Sequence, residues 1–285
     1  MTKLTFALAI AFLVAGCGAA VPSQGGLPQP SPPNDALAKW KDFPATATPR
    51  PIISFGDTVD EIQANGFPPG DSKMAWVCHR FVLAAGLSVP AAAPAKAFGG
   101  GFSYPAISAT RAWSDLTAQP AGANPACDAA AHNFVVTAVR FATAGFWTDR
   151  GTMQMSAWLF DIPEADGYIG RSAVDPSAYW GGAVTKSVGH GYRISADGRT
   201  VSIEVGNAEP GPCGSDYTAS AAESVSAVAI SVKQIPHARP SDSYACLDVF
   251  RPSNITVTLE APLGGRVLVD ENGNVGSVCP ETGGC

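Results

Sequence analysis

The residue types that perform acid–base and nucleophilic catalysis are present in this chain, but none of them lies in a local catalytic signature. Histidine occurs at four scattered positions, His79, His132, His190 and His237. The patterns G-x-S-x-G, S-x-x-K, H-E-x-x-H, the P-loop and G-x-G-x-x-G before a helix are all absent. A Ser-His-Asp triad built from distant residues stays open, because triads are defined by geometry. The sequence therefore predicts no catalytic residue.

Cysteine is the other reactive side chain, and an even number of cysteines lies beyond residue 50. An even set in an oxidising compartment fits disulfide bonds. No C-x₂-C pair occurs and the histidines are scattered, so we expect no metal site. Other connectivities stay open, and pairing of nearest neighbours predicts the bridges Cys78–Cys127, Cys213–Cys246 and Cys279–Cys285.

The seventh cysteine, Cys17, ends a short export-like segment. Lys3 precedes an apolar run of 11 residues from Leu4 to Val14, too short for a membrane-spanning helix of roughly 20 residues. Small residues fill the positions before the thiol, in Val14-Ala15-Gly16-Cys17. This arrangement resembles the bacterial lipobox. The resemblance implies removal of a signal peptide, residues 1–16, and a covalent diacylglycerol on Cys17 as a membrane anchor.

Composition predicts a folded, weakly acidic protein. Charged residues make up 15% and apolar residues 46% of the chain, and the formal charge is −6. Removing Lys3 with residues 1–16 changes that charge to −7. No basic cluster is present, so nucleic acid is a poor partner. Frequent proline after Cys17 predicts a semi-extended spacer over residues 17–50, in which Trp40 and Phe43 are the first groups expected to dock on the core.

A first β-rich subdomain with one helix is expected over residues 51–165. Residues 108–118 read as a helix capped by Ser108, with an Arg111–Asp115 pair one turn apart. Residues 72–85 fit a helix or a strand. Residues 134–143 are apolar on both faces, which predicts a central strand, and a turn over residues 148–151 leads into an alternating strand over residues 152–160.

A second β-rich subdomain is expected over residues 166–285. Its strands alternate apolar and polar residues, and Asp197-Gly198 and Asn272-Gly273 mark hairpin turns. Short strands, frequent turns and few helices predict a mainly β (α+β) fold with antiparallel, sandwich-like sheets. Three inward-facing rows are expected, at 201, 203 and 205, at 228, 230 and 232, and at 255, 257 and 259.

Several charged residues admit more than one role. Asp270, Asn272 and Asn274 have the spacing of calcium ligands, but Val275 stands where the calcium loop needs glycine, so a hairpin turn is the better interpretation. The pair Asp149-Arg150 is expected at a solvated hairpin tip. Glu223 and Arg251 are expected to form a structural ion pair.

Aromatic residues suggest a candidate binding face formed by Trp147, Tyr179 and Trp180, with Trp158 nearby in sequence. Exposed aromatic anchors in a polar rim mark surfaces that bind glycans or proteins. The alternative, which we favour, places Trp158 in the core and packs Trp180 against the sheet, since aromatics mostly supply buried area.

Three patterns in the second half of the chain occur together. They are Thr148-Asp149-Arg150-Gly151 running to Ala157-Trp158-Leu159-Phe160, Cys213 with Asp216-Tyr217 and Glu223-Ser224, and Cys246 to Arg251 with Pro262-Leu263-Gly264-Gly265-Arg266-Val267-Leu268-Val269-Asp270. The combination resembles uncharacterised envelope lipoproteins of high-GC Gram-positive bacteria. The resemblance implies an envelope location and a shared fold, and it brings no catalytic residue.

These observations predict a lipid-anchored protein on the extracytoplasmic face of the cell membrane. We expect a non-catalytic binding or scaffolding module without a cofactor beyond the diacylglycerol, whose partner is an envelope glycan or protein. The alternative is a lipid-anchored hydrolase that acts on cell-envelope substrates.

Overall fold

Strands dominate the computed structural model, which confirms the mainly β fold class. The model describes residues 33–56, 58–61, 67, 72–118, 127, 132–182, 187–239, 241, 245–246, 249 and 251–281. Within this part, the α-helices are α1 Pro33–Ala38, α2 Ser72–Val77 and α3 Ala109–Thr117, and short 3₁₀ turns are Pro163–Ala165, Pro176–Ala178 and Trp180–Gly182.

The first sheet is built on a long hairpin and has helices on one face. Its strands are β1 Thr58–Glu61, β3 Ala97–Gly99, β4 Phe102–Tyr104, β6 Ala138–Thr148, β7 Gly151–Ile162 and β8 Gly167–Ser172. They are ordered β1-β8-β7-β3-β4, with β6 along the other edge of β7. A separate parallel pair joins β2 Phe81–Leu83 to β5 Phe134–Val136.

Strand β7, and not the stretch 134–143, is the central strand of the first sheet. From Met155 to Phe160 its residues are buried on both faces. One face packs with Ile52 and Tyr104, and the other packs against α2 and α3. Residues 134–143 instead split between β5 and the edge strand β6, where Phe141 stays 42% exposed. An apolar run does not by itself require two covered faces, because an edge strand tolerates exposed apolar residues.

Helix α3 forms where the sequence predicts it. Ser108 accepts a hydrogen bond from the Arg111 backbone N–H at 3.2 Å, and the Arg111 Nε lies 2.8 Å from Asp115 Oδ1. The buried Leu116 faces the core beneath the helix. The ambiguous stretch 72–85 divides into helix α2 and strand β2, so both interpretations apply to part of it.

The second sheet holds seven described strands and nearly closes on itself. They are β9 Ser187–Ile194, β10 Thr200–Gly206, β11 Ser215–Glu223, β12 Ala227–Pro236, β13 Pro252–Thr258, β14 Val267–Asp270 and β15 Val275–Pro280. Their order is β11-β12-β14-β15-β9-β10-β13, in which β12–β14 and β15–β9 are parallel. Asn207 links the two edges, since its N–H bonds the Arg251 carbonyl and its carbonyl accepts from Ser215.

The three predicted apolar rows pack together in the interior of the second sheet. Val201, Ile203, Val205, Val228, Ile230 and Leu259 are buried there, and Val232, Ile255 and Val257 pack against them. Hairpin turns also form at Asp197-Gly198 and Asn272-Gly273. Only Gly198 at φ 72° and Gly273 at φ 78° lie in the left-handed region that favours glycine, so Asp197-Gly198 is not the primed turn, with positive φ at both positions, that its sequence favours.

Two predicted boundaries differ from the structure. Strand β8 pairs with β7, so the first sheet extends beyond residue 165 and the chain enters the second sheet after Trp180. The predicted spacer does not continue to residue 50, because α1, Trp40 and Phe43 pack against β12, β14 and β15. Burial of the two aromatic rings, 7% and 3% exposed, favours this docking over an extended spacer.

Candidate functional site

The second sheet contains a cleft among its described residues. Its volume is about 560 Å³, and its walls come from β9–β14 and the β14–β15 turn. Pockets that hold small molecules are typically roughly 300–1,000 Å³. Its apolar wall consists of Ile203, Val205, Ile230 and Val232.

The remaining described lining residues are mainly polar and lie on separate strands. Antiparallel pairing places Ile203 of β10 beside Tyr192 of β9, and Glu204 beside Asn254 of β13. The described polar lining includes Tyr192, Arg193, Glu204, Tyr217, Asn254, Asp270 and Glu271. An apolar wall beside a few polar groups is the usual composition of a small-molecule site.

Tyr192 is the most buried polar side chain of the described lining. It is 4% exposed, and its hydroxyl makes no hydrogen bond within the part of the chain that the structure describes. Burial raises the pKa of Tyr192, and the nearby carboxylates of Asp270 and Glu271 raise it further. Tyr192 is therefore held as a neutral phenol. By contrast, the Tyr217 hydroxyl donates to the Gly206 carbonyl at 2.5 Å.

The two acidic residues at the β14–β15 turn have different roles. Asp270 Oδ1 accepts the backbone N–H groups of Asn272 and Asn274 at 2.8 Å each, and Oδ2 accepts from the Asn274 amide. These bonds define a turn stabilised by its own side chain, as the hairpin interpretation requires. Glu271 receives one hydrogen bond, from Ser231 Oγ to Oε2 at 2.8 Å.

The aromatic residues considered for a binding face lie in different environments. Trp147 is 45% exposed and stacks edge-on with Phe55, with ring centroids 5.0 Å apart. Trp180 packs against Trp40 and Phe43, and the Tyr179 hydroxyl bonds Ser172 at 2.6 Å. Trp158 is 6% exposed in the core beneath α3. Packing explains Trp158 and Trp180, and Trp147 presents the most open ring of the three tryptophans.

At the hairpin tip Asp149 is buried and Arg150 is partly buried, which corrects the expectation of a solvated turn. Asp149 is 2% exposed and pairs with Arg50, whose Nη2 lies 2.6 Å from Oδ2. Arg150 donates to the Arg266 carbonyl. Burial lowers the pKa of Arg150 to about 10, although the Asp149 charge opposes that shift. The tip is covered because residues far away in sequence pack over it.

The predicted Glu223–Arg251 ion pair does not form. Glu223 pairs with Arg266 at 2.7 Å, and both side chains are almost covered. Arg251 instead pairs with Glu209 in the connection that follows β10. The pairing differs because the two residues lie in different places. Glu223 ends β11 near the turn before β14, whereas Arg251 lies just before the first residue of β13.

The described histidine rings are engaged by neighbouring groups. His79 Nδ1 lies 2.9 Å from the Leu116 carbonyl, and His132 Nε2 lies 3.0 Å from Glu164. His237 contacts Asp216 through Nε2 at 3.1 Å and the Gly211 carbonyl through Nδ1 at 2.8 Å. His190 belongs to β9, but its side chain lies outside the described residues.

Two of the predicted disulfide bonds are present. Cys78 bonds Cys127 and Cys213 bonds Cys246. Cys279 is disulfide-bonded as well, while its predicted partner Cys285 lies outside the described residues. The predicted lipidation site Cys17 also lies outside them.

None of the helices in the described part of the chain combines the length and apolar character that crossing a bilayer requires. No group of three or more His, Cys, Asp or Glu in that part of the chain could hold a metal ion. Comparison with known proteins gives no match to a family model, a curated protein or a solved structure.

The cleft is not recognisable as a site from the sequence alone. Its residues come from separate strands and form no linear motif, and the parallel pairings β12–β14 and β15–β9 bring them together. The only linear signal was the acidic turn at Asp270 and Glu271. The alternation in β9 and β10 identifies Ile203 as inward-facing, but it does not indicate that Tyr192 lacks a partner.

Proposed function

We propose that this protein is a lipid-anchored envelope lipoprotein that works as a non-catalytic binding module on the extracytoplasmic side of the membrane. The lipobox pattern at Val14-Ala15-Gly16-Cys17 supports the anchor. Disulfide bonds at Cys78–Cys127 and Cys213–Cys246 fit an oxidising location. In this proposal residues 17–32 connect the lipid to the folded body, and the ligand comes from the envelope.

The observation that carries the binding function is the cleft of about 560 Å³ in the second sheet. Ile203 and Ile230 supply apolar surface, so transfer of an apolar ligand from water is favourable. Tyr192 and Glu271 supply polar groups that can orient the ligand. A preformed apolar wall with few polar groups is suited to binding a small molecule.

Binding is favoured over hydrolysis by the positions of the described histidines. A triad histidine needs one ring nitrogen for the nucleophile and the other for the acid. Both ring nitrogens of His237 are already occupied, by Asp216 and by the Gly211 carbonyl. His79 and His132 contact α3 and the turn after β7, and neither is among the described residues that line the cleft.

Filling the cleft tests this function. Val232→Trp places a large ring against the apolar wall, while Val225→Trp adds the same ring at a position that is 87% exposed, between β11 and β12. The full chain is isolated from a bacterium that processes lipoproteins and is examined by native mass spectrometry. We expect a small molecule to copurify with wild type and with the Val225→Trp control, and to be lost from Val232→Trp.

Equal retention of that molecule by wild type and by a folded Val232→Trp variant would place the ligand elsewhere and contradict the proposed site. Absence of any copurifying molecule from wild type would also count against a tightly held ligand. Circular dichroism of each variant shows whether the β fold is intact, and Val232→Ala provides a second cleft variant that cannot overpack.

A further inference from the structure

We infer that the cleft takes a small amphiphile with an apolar body and a primary ammonium head. This inference rests on the proposed binding function and names the chemical class of its ligand. Three features support this class: the Tyr192 hydroxyl without a described protein partner, the charge of the described lining and the apolar wall.

The Tyr192 hydroxyl provides the first indication. Its residue is 4% exposed and lines the cleft, yet the hydroxyl makes no hydrogen bond within the described part of the chain. The hydroxyl oxygen is not sealed inside the protein, because it is not one of the described buried polar atoms that lack a partner. It is therefore available to a ligand in the cleft.

The charge of the described lining selects the ligand's polar end. Three carboxylates, Glu204, Asp270 and Glu271, oppose one guanidinium, that of Arg193, so the difference is −2. Arg193 is directed towards the carbonyls of Pro280 and Glu281. An anionic ligand would meet repulsion here, and a cation would be attracted.

The available oxygens favour a primary ammonium over other cations. Asp270 already accepts bonds on both of its oxygens, whereas Glu271 accepts a bond from Ser231 on Oε2 alone. Glu204 makes no hydrogen bond or ion pair within the described residues, but it alternates with the inward-facing Ile203 and contributes charge rather than a contact beside Tyr192. An ammonium group offers three N–H donors, enough to bond the Tyr192 oxygen and the free Glu271 oxygen together. The carbon chain of the ligand then covers Ile203 and Ile230.

Three probes that differ in head group test the ligand class. They are 4-phenylbutylammonium, the neutral 4-phenylbutanol and the anionic 4-phenylbutyrate. The full chain in nonionic detergent is titrated with each by calorimetry, and the same titration into protein-free detergent is subtracted. We expect the ammonium to bind on the order of tenfold more tightly than the alcohol, and the carboxylate to bind most weakly.

Variants connect that preference to named groups. The double variant Glu204→Gln with Glu271→Gln keeps the side-chain shape and removes two charges, so the ammonium and the alcohol should bind equally. Glu260→Gln, an exposed position outside the described lining, is the matched control and should keep the preference. Tyr192→Phe should weaken ammonium binding several-fold without lowering the thermal midpoint, because its hydroxyl has no partner to lose.

The outcomes separate the ligand class from the binding function. Equal binding of ammonium and alcohol, or tighter binding of phenylbutyrate, would overturn the ammonium class, while loss of all binding in Val232→Trp would still support the cleft as a site. If none of the three probes binds wild type, the ligand class is overturned and the native-mass experiment decides the function separately.

Discussion

Arg50 and Asp149 form a two-pronged ion pair across 99 residues of sequence. Arg50 Nη2 lies 2.6 Å from Asp149 Oδ2, and Nη1 lies 3.3 Å from Oδ1. Arg50 Nε also donates to the Gly265 carbonyl at 2.6 Å, while its guanidinium lies over the Phe43 ring. The pair therefore joins three separate segments: the N-terminal part of the folded body, the β6–β7 turn and the turn before β14.

Replacing Asp149 with Asn should destabilise the fold strongly. The change leaves the Arg50 guanidinium partly buried without its counter-charge, and breaking such a pair costs about 3–5 kcal/mol. Arg150 loses the same neighbouring charge. The free energy of unfolding measured with urea should fall by that amount.

Asp115→Asn is the matched control for Asp149→Asn. Asp115 pairs with Arg111 on an exposed helix face, where solvent screens the two charges, so loss of this pair should change the free energy of unfolding only slightly. If both variants unfold at the same urea concentration, the Arg50–Asp149 pair does not stabilise the fold as we argue.

Removing the Cys213–Cys246 bridge should also lower stability. The bridge closes a chain separation of 33 residues, and loss of such a constraint on the unfolded chain costs roughly 2–4 kcal/mol. We expect Cys213→Ser with Cys246→Ser to unfold at lower urea concentration than wild type under non-reducing conditions. An unchanged midpoint would show that the bridge makes no net contribution. Cys78→Ser with Cys127→Ser removes a bridge of separation 49 and is the natural comparison.

His237 should titrate above the ordinary histidine pKa of 6.5. A hydrogen bond to Asp216 and one to the Gly211 carbonyl raise the pKa, since both partners only accept and therefore favour the doubly protonated ring. Because the folded pKa is raised, the stabilisation is fully present below the unfolded value and is lost as pH rises through the folded value.

The measurement for His237 is an NMR titration of its imidazole Cε1–H signal. Asp216→Asn should move the pKa down towards 6.5. The thermal midpoints of wild type and Asp216→Asn should differ below about pH 6.5 and converge at higher pH. A wild-type pKa at or below 6.5 would contradict the paired geometry.

Local patterns predicted the elements that depend on neighbouring residues. The Ser108 cap and the Arg111–Asp115 pair specify α3 within one stretch of chain, and the turn at residues 148–151 defines the β6–β7 hairpin in the same way. The alternating rows of the second sheet were also visible, because period-two burial is a property of each strand alone.

Contacts between distant segments were not predictable in this way. Asp149 looked solvated because turns usually are. Its carboxylate is covered by Arg50, and its backbone bonds Ile53 and Val278, which lie far away in sequence. The cleft needs the order β12-β14-β15-β9, which no single strand encodes. Glu223 was assigned the wrong partner for the same reason, since its pairing with Arg266 depends on which strands become neighbours.

The measurement that tests the proposed membrane-anchored function most directly is incorporation of radioactive palmitate into wild type and into Cys17→Ser, expressed in a bacterium that processes lipoproteins. We predict that wild type is labelled and shortened by removal of residues 1–16, and that Cys17→Ser is neither labelled nor cleaved by the lipoprotein peptidase. Labelling of Cys17→Ser equal to that of wild type, or an unlabelled wild type in a host that labels a known lipoprotein, would contradict the proposal.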